Sequence, residues 1–461
     1  MQNSQRNYKF LDFTVSLCPE CLKRIDAKII SRNGSIFLLK NCKEHGQMEI
    51  LLEEDENFYL SRHEYDKPGT ISKSQTSVKN GCPFDCGLCP DHEQHTCIGL
   101  IEVTNACDLN CKFCYANSGG KNFLSLEKIE KMMDFFVESE FGAAEILQIS
   151  GGEPTLHPNI IEIIKLARKK PIKYILLNTN GLKIAQDENF VKELSQFKGG
   201  FEIYLQFDSF DDKVYENMRG KKLAYIKQKA IQNLEKYKIP VTLVSTIEKG
   251  SNDHEIGKIV KFGLDSKCVR GINFQPVAFF GRLGGLSKEK ERITITGVIS
   301  CIEKQMGGMI KKQDFIPLPC DVDRVAITYL YKSGDEFIPI VRKVNFKQYL
   351  PAIRNTFKFN PEDVLSDIAK NVFASPGSCC DYLSLFNKIK PIVSPKFMLK
   401  SKEEKINFVT ENTFRISITN FVDAYNFDMK SMKKECVHVI TQDLKRIPFS
   451  AYNMIHRNKN V

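Results

Sequence analysis

The chain has 461 residues, 42% apolar and 26% charged, the balance of a globular protein with several folding units, which excludes intrinsic disorder and a fibrous repeat. Lys and Arg number 66 against 56 Asp and Glu, a formal charge of +10 that is spread along the chain without a basic block, so nucleic acid is not an expected partner. No apolar run is long enough to span a bilayer and the opening MQNSQRNYKF is polar, so neither a membrane span nor a secretory signal is expected, and the compartment reads as cytoplasmic.

Sixteen cysteines in such a chain read as metal ligands, because cytosolic thiols are kept reduced. Ten of them, Cys18, Cys21, Cys42, Cys82, Cys86, Cys89, Cys97, Cys107, Cys111 and Cys114, crowd the first quarter. From about residue 14 to 60 the order is CPEC, the alternating stretch AKIISRNGSIFLLKN, then CKEHG, with Asn33-Gly34 predicting a type I′ hairpin turn. Cys18, Cys21, Cys42 and His45 make a two-knuckle tetrahedral site. Three thiolates and one imidazole favour zinc, whereas a mononuclear rubredoxin-like iron would want a fourth thiolate; the alternative is that His45 is only a turn residue. Residues 61–80 are polar and read as a linker. In 81–98, Cys82, Cys86 and Cys89 are followed by Cys97, four thiolates that would saturate an auxiliary 4Fe-4S cluster suited to electron transfer, with a four-cysteine structural zinc as the alternative.

From residue 99 the rhythm changes. IGLIEVT, EILQIS, IKYILLNT, FEIYLQF, VTLVSTI and GINFQPV alternate with helical patterns near 125–140, 158–169, 188–196, 224–238 and 253–263. Strand and helix alternating in this way predict an α/β fold of six parallel βα units over 99–285, a partial (βα)6 barrel or an open doubly wound sheet, with its chemistry at the carboxyl ends of the strands. Residues 286–461 lose the rhythm and read as a C-terminal α/β extension that caps the substrate cavity.

Cys107-Asp-Leu-Asn-Cys111-Lys-Phe-Cys114 follows the first barrel strand. Three thiolates so spaced can hold three corners of a 4Fe-4S cube and leave one iron open, since no fourth local cysteine follows; the alternative is a zinc knuckle with a remote fourth ligand. The second strand ends in Ser150-Gly151-Gly152-Glu153-Pro154, where paired glycines allow close backbone approach and Glu153 can accept a hydrogen bond.

CDLNCKFCY after the first strand and SGGEP after the second resemble the radical S-adenosylmethionine (radical SAM) superfamily over about residues 99–280. The resemblance implies that the open iron chelates SAM, that an electron from the cluster cleaves it, and that the 5′-deoxyadenosyl radical abstracts an unactivated hydrogen. Gly151, Gly152 and Glu153 would then meet the methionine end of SAM and Tyr115 the adenine, while Asn178, Gln206, Asp208 and Gln275, at later strand ends, would face the cavity; each of these four is equally readable as a satisfied strand-end group. A closer resemblance, carried by CPEC with CKEHG, CPFDCGLCPDHEQHTC, RGINFQPVAFFGR, RITITGVISCIEKQ with DFIPLPC, and NFVDAYNFD with RIPFSAYN, is to the tetraether lipid synthase branch, which includes pterin-modifying methyltransferases. It implies C–C coupling or C-methylation of a lipid-like or pterin-like substrate, a low-potential donor such as ferredoxin or flavodoxin, and, for a lipid, peripheral contact with a membrane. The chain departs from that branch where Ile418 and Ser450 stand at positions expected to be thiolates. Cys301, Cys320, Cys379, Cys380 and Cys436 are not grouped, so a C-terminal auxiliary cluster reads as lost.

Phe-rich NFQPVAFF reads as core or as the lining of an apolar cavity. Two other functions are weighed: a radical SAM cyclase or peptide-modifying enzyme, which would want a peptide-recognition winged helix or a seven-cysteine C-terminal domain, and a non-catalytic metal-binding module, which leaves the open trio and GGEP unexplained.

Overall fold

The computed structural model describes residues 7–283, 291–333, 336–347, 350, 354–357 and 412–457. Cys379 and Cys380 lie outside the described residues.

The N-terminal module is an antiparallel sheet of β1 (Lys9–Leu17), β2 (Arg24–Arg32), β3 (Ser35–Cys42) and β4 (Gly46–Glu53) in sequential order. Arg32 pairs with Ser35, and both intervening residues take positive φ, 51° at Asn33 and 79° at Gly34, as the predicted type I′ turn requires. Alternation along β3 buries Ile36, Leu38 and Lys40. That Lys40 is 2% exposed calls for an explanation, because an isolated ammonium in an apolar site is costly. Its Nζ donates to the carbonyls of Leu17 (2.7 Å), Ala424 (2.8 Å) and Tyr425 (2.7 Å) and to Ser16 Oγ (3.2 Å). Burial pushes its pKa down to about 7, against the pull of Asp423, and the four acceptors favour the proton. One side chain thus ties the N-terminal module to the C-terminal region.

The segment 61–80 is no free linker. Buried Arg62 pairs with Asp323 at 2.6 Å, and Arg446 donates to Ser72 Oγ and the Lys73 carbonyl.

Six parallel strands follow: β5 (Ile98–Thr104), β6 (Ala144–Gly151), β7 (Ile172–Thr179), β8 (Phe201–Gln206), β9 (Val241–Ile247) and β10 (Val269–Pro276). Each pairs in parallel with its successor, the right arrangement for strands joined by helices. The helix Leu126–Ser139 shows why these segments fold as they do. Ser125 caps it by accepting from Lys128 N, and Ile129, Met132, Met133 and Phe136 form its buried stripe. Such stripes, from this helix and from Ile160–Lys169, cover the outer face of the sheet in one large apolar core.

The C-terminal extension adds its strands to the same sheet. After β11 (Ile316–Leu318), β12 (Asp321–Ser333) and β13 (Glu336–Pro339), β14 (Thr413–Thr419) lies parallel to β10 with β12 antiparallel beyond it. At the other edge β15 (Val437–Ile440) lies parallel to β5, and β16 (Arg446–Pro448) closes a hairpin on it. Among the described residues the six strands are therefore the middle of a 12-stranded sheet, an open structure and not a closed barrel. Ile418, in β14, is fully buried between its neighbours Phe274 and Ala326.

Replacing Lys40 by Met would leave its buried carbonyl partners without a donor, at a cost of about 3 kcal/mol. The expected outcome is a melting midpoint lowered by a few degrees and faster proteolytic cleavage between residues 55 and 80, with iron content unchanged; an unaltered melt would show that the contact contributes nothing.

Candidate functional site

The carboxyl ends of the six parallel strands converge on a cavity of about 220 Å³ walled by Cys107, Cys111, Cys114, Tyr115, Gly151, Gly152, Glu153, Asn178, Gln206 and Gln275. Two glycines decide how the first two strand ends meet. A Cβ on Gly151 would stand 2.2 Å from the Thr104 carbonyl oxygen, and one on Gly152 would stand 2.1 Å from that of Ala106. With neither present, Gly152 N donates to Thr104 O (2.8 Å) and Glu153 N to Ala106 O (2.7 Å). The expected close approach is therefore made by the protein's own backbone, strand end to cysteine loop.

The cysteine loop is held from several sides. Lys112 N donates to Met218 O at 2.9 Å, Asn180 Nδ2 to Asp108 at 2.6 Å, and Lys112 Nζ reaches Glu248 at 3.2 Å. Arg282 donates to Asn110 Oδ1 (2.7 Å), to the Cys111 carbonyl (2.9 Å) and to the Ser118 carbonyl. The Ser118 backbone N–H points at Cys114 Sγ (3.4 Å). Burial pushes the Cys107 thiol up to about 11, so binding a metal there must displace its proton.

Glu153 lines the cavity, yet its carboxylate is already engaged. One oxygen accepts from Thr155 N (3.1 Å), Thr155 Oγ1 (2.6 Å) and Thr179 Oγ1 (2.8 Å), and the other from Asn180 N (2.7 Å). It braces the end of β6 against the end of β7. Asp208 requires a correction: it is fully buried and does not reach the cavity. It holds Arg219 through Nε (2.8 Å) and Nη2 (2.9 Å) and accepts from Thr246 N (2.9 Å), and Arg219 is what lines the wall. Burial disfavours the guanidinium, but the Asp208 carboxylate overrides this and keeps it charged. Asn178 accepts from Gln148 (2.7 Å) and donates to Ser150 Oγ (3.1 Å), which also meets Tyr115 Oη (3.0 Å). Gln206 accepts from the buried Lys227 at 3.2 Å, and Gln275 lies 3.5 Å from Tyr204 Oη, to which Asn273 also donates. Tyr115 packs edge-on against Phe449 at 5.1 Å between ring centres. Of NFQPVAFF, Phe280 lines the cavity and Phe274 belongs to the core.

Among the described residues, two groups bring three or more metal-ligating atoms within 4.8 Å of one another. The first is Cys18, Cys21, Cys42 and His45, as the spacing predicts: His45 Nδ1 lies 3.5 Å from Cys18 Sγ and 3.4 Å from Cys42 Sγ. The Glu44 backbone N–H and the His45 imidazole hold the Cys42 thiol down at about 6, ready for a metal. The second group is Cys97, Cys320 and Cys436, which corrects two expectations. Cys97 is not the fourth thiolate of the upstream trio, and Cys320 and Cys436 are not ungrouped. Cys82, Cys86 and Cys89 instead line a separate small pocket with Asp91, His92 and Lys433. With three thiolates in each trio, the count no longer separates them. Position does: the downstream trio faces the cavity, and the upstream trio lies outside it.

Arg219 and Arg282 escaped the sequence reading. Arg219 sits in ENMRG at the end of the helix Asp212–Arg219, a helix with no place in the expected rhythm, and Arg282 closes the FFGR run whose phenylalanines drew notice instead.

The donor set of the cavity wall, three soft thiols on one loop, fits a 4Fe-4S cluster with an open iron, and the hydroxyls, amides and cationic Arg219 beyond it fit the polar ends of SAM. Residues 101–263 match the model of the radical SAM superfamily, and residues 10–54 match that of the HMPTM N-terminal zinc ribbon domain. The 7,8-dihydro-6-hydroxymethylpterin dimethyltransferase of Methanocaldococcus jannaschii is 36% identical over 97% of this chain and 94% of its own length. The GTP 3′,8-cyclase of Listeria welshimeri is 30% identical over 41% of this chain and 56% of its own. SuiB of Streptococcus suis bound to S-adenosylmethionine overlaps 43% of this chain and 44% of its own at 18% identity, with a TM-score of 0.35. Both the ribbon and the radical SAM core thus lie inside one match that runs nearly from end to end: the chain is a radical SAM enzyme and belongs to the family of the 7,8-dihydro-6-hydroxymethylpterin dimethyltransferase.

Proposed function

We propose that the enzyme C-methylates a pterin-like heterocycle. The observation that carries this reading is the inner wall of the cavity, where Asn178, Tyr204, Gln206, Asn273 and Gln275 meet the aromatic faces of Phe421 and Phe449. A flat heteroaromatic ring needs neutral donors and acceptors at its edge and apolar rings on its faces. A long alkyl chain needs only the second and would gain nothing from an amide-lined wall.

Cys107, Cys111 and Cys114 are the residues proposed to hold the SAM-binding 4Fe-4S cluster, which when bound supplies the electron for reductive cleavage of SAM. The chain's own part is to hold the loop rigid through Arg282 and Asn180, to present the positive charge of Arg219, and to exclude water with Phe280, Phe421 and Phe449. Cys82, Cys86 and Cys89, half-buried at the surface, suit an auxiliary cluster that takes electrons from a low-potential ferredoxin or flavodoxin. No helix among the described residues is long and apolar enough to cross a membrane.

Anaerobic incubation with SAM and a reductant is expected to convert a hydroxymethyl-dihydropterin to singly and doubly methylated products read by mass spectrometry; coupled or methylated lipid with no pterin product would overturn the substrate. Cys111→Ala is expected to abolish 5′-deoxyadenosine formation, and deoxyadenosine persisting in that variant would refute the cluster assignment. Asp208→Asn, which keeps the shape but removes the charge that holds Arg219, is expected to slow SAM cleavage by about 10- to 100-fold with iron content retained, the usual scale for a residue acting through another.

A further inference from the structure

We infer that Cys97, Cys320 and Cys436, together with His95, hold a second structural zinc ion, separate from the ribbon, that fastens the C-terminal strands to the first strand of the sheet.

All three cysteines are buried, at 0%, 3% and 0% exposure. Their sulfurs lie within 4.8 Å of one another, with Cys320 and Cys436 at 3.9 Å. Four ligands tetrahedrally around zinc, with a metal–sulfur bond of about 2.3 Å, set neighbouring sulfurs about 3.8 Å apart. The ribbon supplies an internal yardstick: Cys21 and Cys42 are also 3.9 Å apart. A 4Fe-4S cube binds each thiolate to a different iron, so its sulfurs must stand off by the added width of the cube. Neither C-x3-C-x2-C trio gathers its sulfurs within 4.8 Å, and this buried group does. The spacing therefore selects a single ion over a cluster.

His95 stands beside Cys97 and is the fourth ligand of the proposal. Its Nε2 lies 3.5 Å from Cys97 Sγ, and its Nδ1 faces a Glu140 carboxylate oxygen at 3.0 Å, the carboxylate–histidine pairing that orients metal-bound imidazoles. Glu140 is itself fixed by Arg446 at 2.5 Å and by Thr96 N at 3.2 Å. Nε2 donates to the Asn355 carbonyl at 2.9 Å and stands outside the 4.8 Å group that the three sulfurs form; to bind zinc it must release that proton to solvent and move toward Cys320 and Cys436.

The placement explains what the ion would do. Cys97 immediately precedes β5, Cys320 precedes β12, and Cys436 precedes β15. Cys97 N and Ile98 N already donate to the Cys436 carbonyl at 2.9 and 3.2 Å. One ion there joins segments more than a hundred residues apart and closes the floor of the cavity, whose wall includes Ile98 and Val437.

Metal analysis of the full-length protein, purified anaerobically and reconstituted with iron and sulfide, tests this. About two zinc ions per chain are expected, with zinc K-edge absorption averaging three sulfurs and one nitrogen per ion. Cys436→Ser is expected to lose about one zinc while iron and sulfide stay constant, and Cys21→Ser to lose the other. His95→Ala is expected to halve the nitrogen coordination per zinc. About one zinc per chain in the unaltered protein would overturn the proposal whether or not the variants fold. So would a Cys436→Ser variant that keeps all its zinc and loses about four irons with matching sulfide.

Discussion

Where the first two strands of the sheet end, their backbones come so close that side chains have no room. Gly151 and Gly152 accept that crowding, and the loop carrying Cys107, Cys111 and Cys114 is drawn against the second strand by two short backbone hydrogen bonds. Everything else at the site is arranged around the loop so placed. Glu153, next in the chain, spends its carboxylate on Thr155, Thr179 and Asn180, and Asn180 passes the constraint back to Asp108 at the base of the cysteine loop. A larger residue at either glycine would displace a backbone carbonyl, and with it every contact downstream.

Charge is used in the same indirect way. Asp208, fully buried, touches nothing in the cavity; it sets the position and charge of Arg219, which does. Arg446, also fully buried, meets Glu140, which faces His95. Arg324 and Glu435 pair at 2.9 Å near Ser450, whose hydroxyl donates to Glu435 at 2.9 Å. Ser450, in that polar network, stands where the related branch leads one to expect a thiolate. Removing one partner from such a pair leaves a buried charge uncompensated, which is why these pairs constrain structure more than they add stability.

The metal-ligand groups divide by reach. The ribbon ligands and the two trios are local in sequence, each within a hairpin or a short loop. Cys97, Cys320 and Cys436 are drawn from opposite ends of a long sheet, so they meet only once it has formed. Lys40 plays a comparable part for the ribbon, spanning to the Ala424 and Tyr425 carbonyls. The C-terminal region is therefore built into both edges of the sheet and supplies Phe421 and Phe449 to the cavity.

From the sequence alone one could read the six parallel βα units, the Asn33-Gly34 hairpin, the ribbon ligands and the cluster loop with its GGEP partner. Each of these is written in spacing along a short stretch: strand and helix periods, a turn dipeptide, cysteines a few residues apart. Sequence spacing could not say which cysteines meet across hundreds of residues, and so it assigned Cys97 to its nearest neighbours and left Cys320 and Cys436 unplaced. Nor could it tell that Asp208 turns inward to Arg219, because alternation along a strand does not continue past the strand's end. Those outcomes were decided by how β14 and β15 add to the two edges of the sheet, a pairing that depends on long-range packing and leaves no periodic mark in the chain.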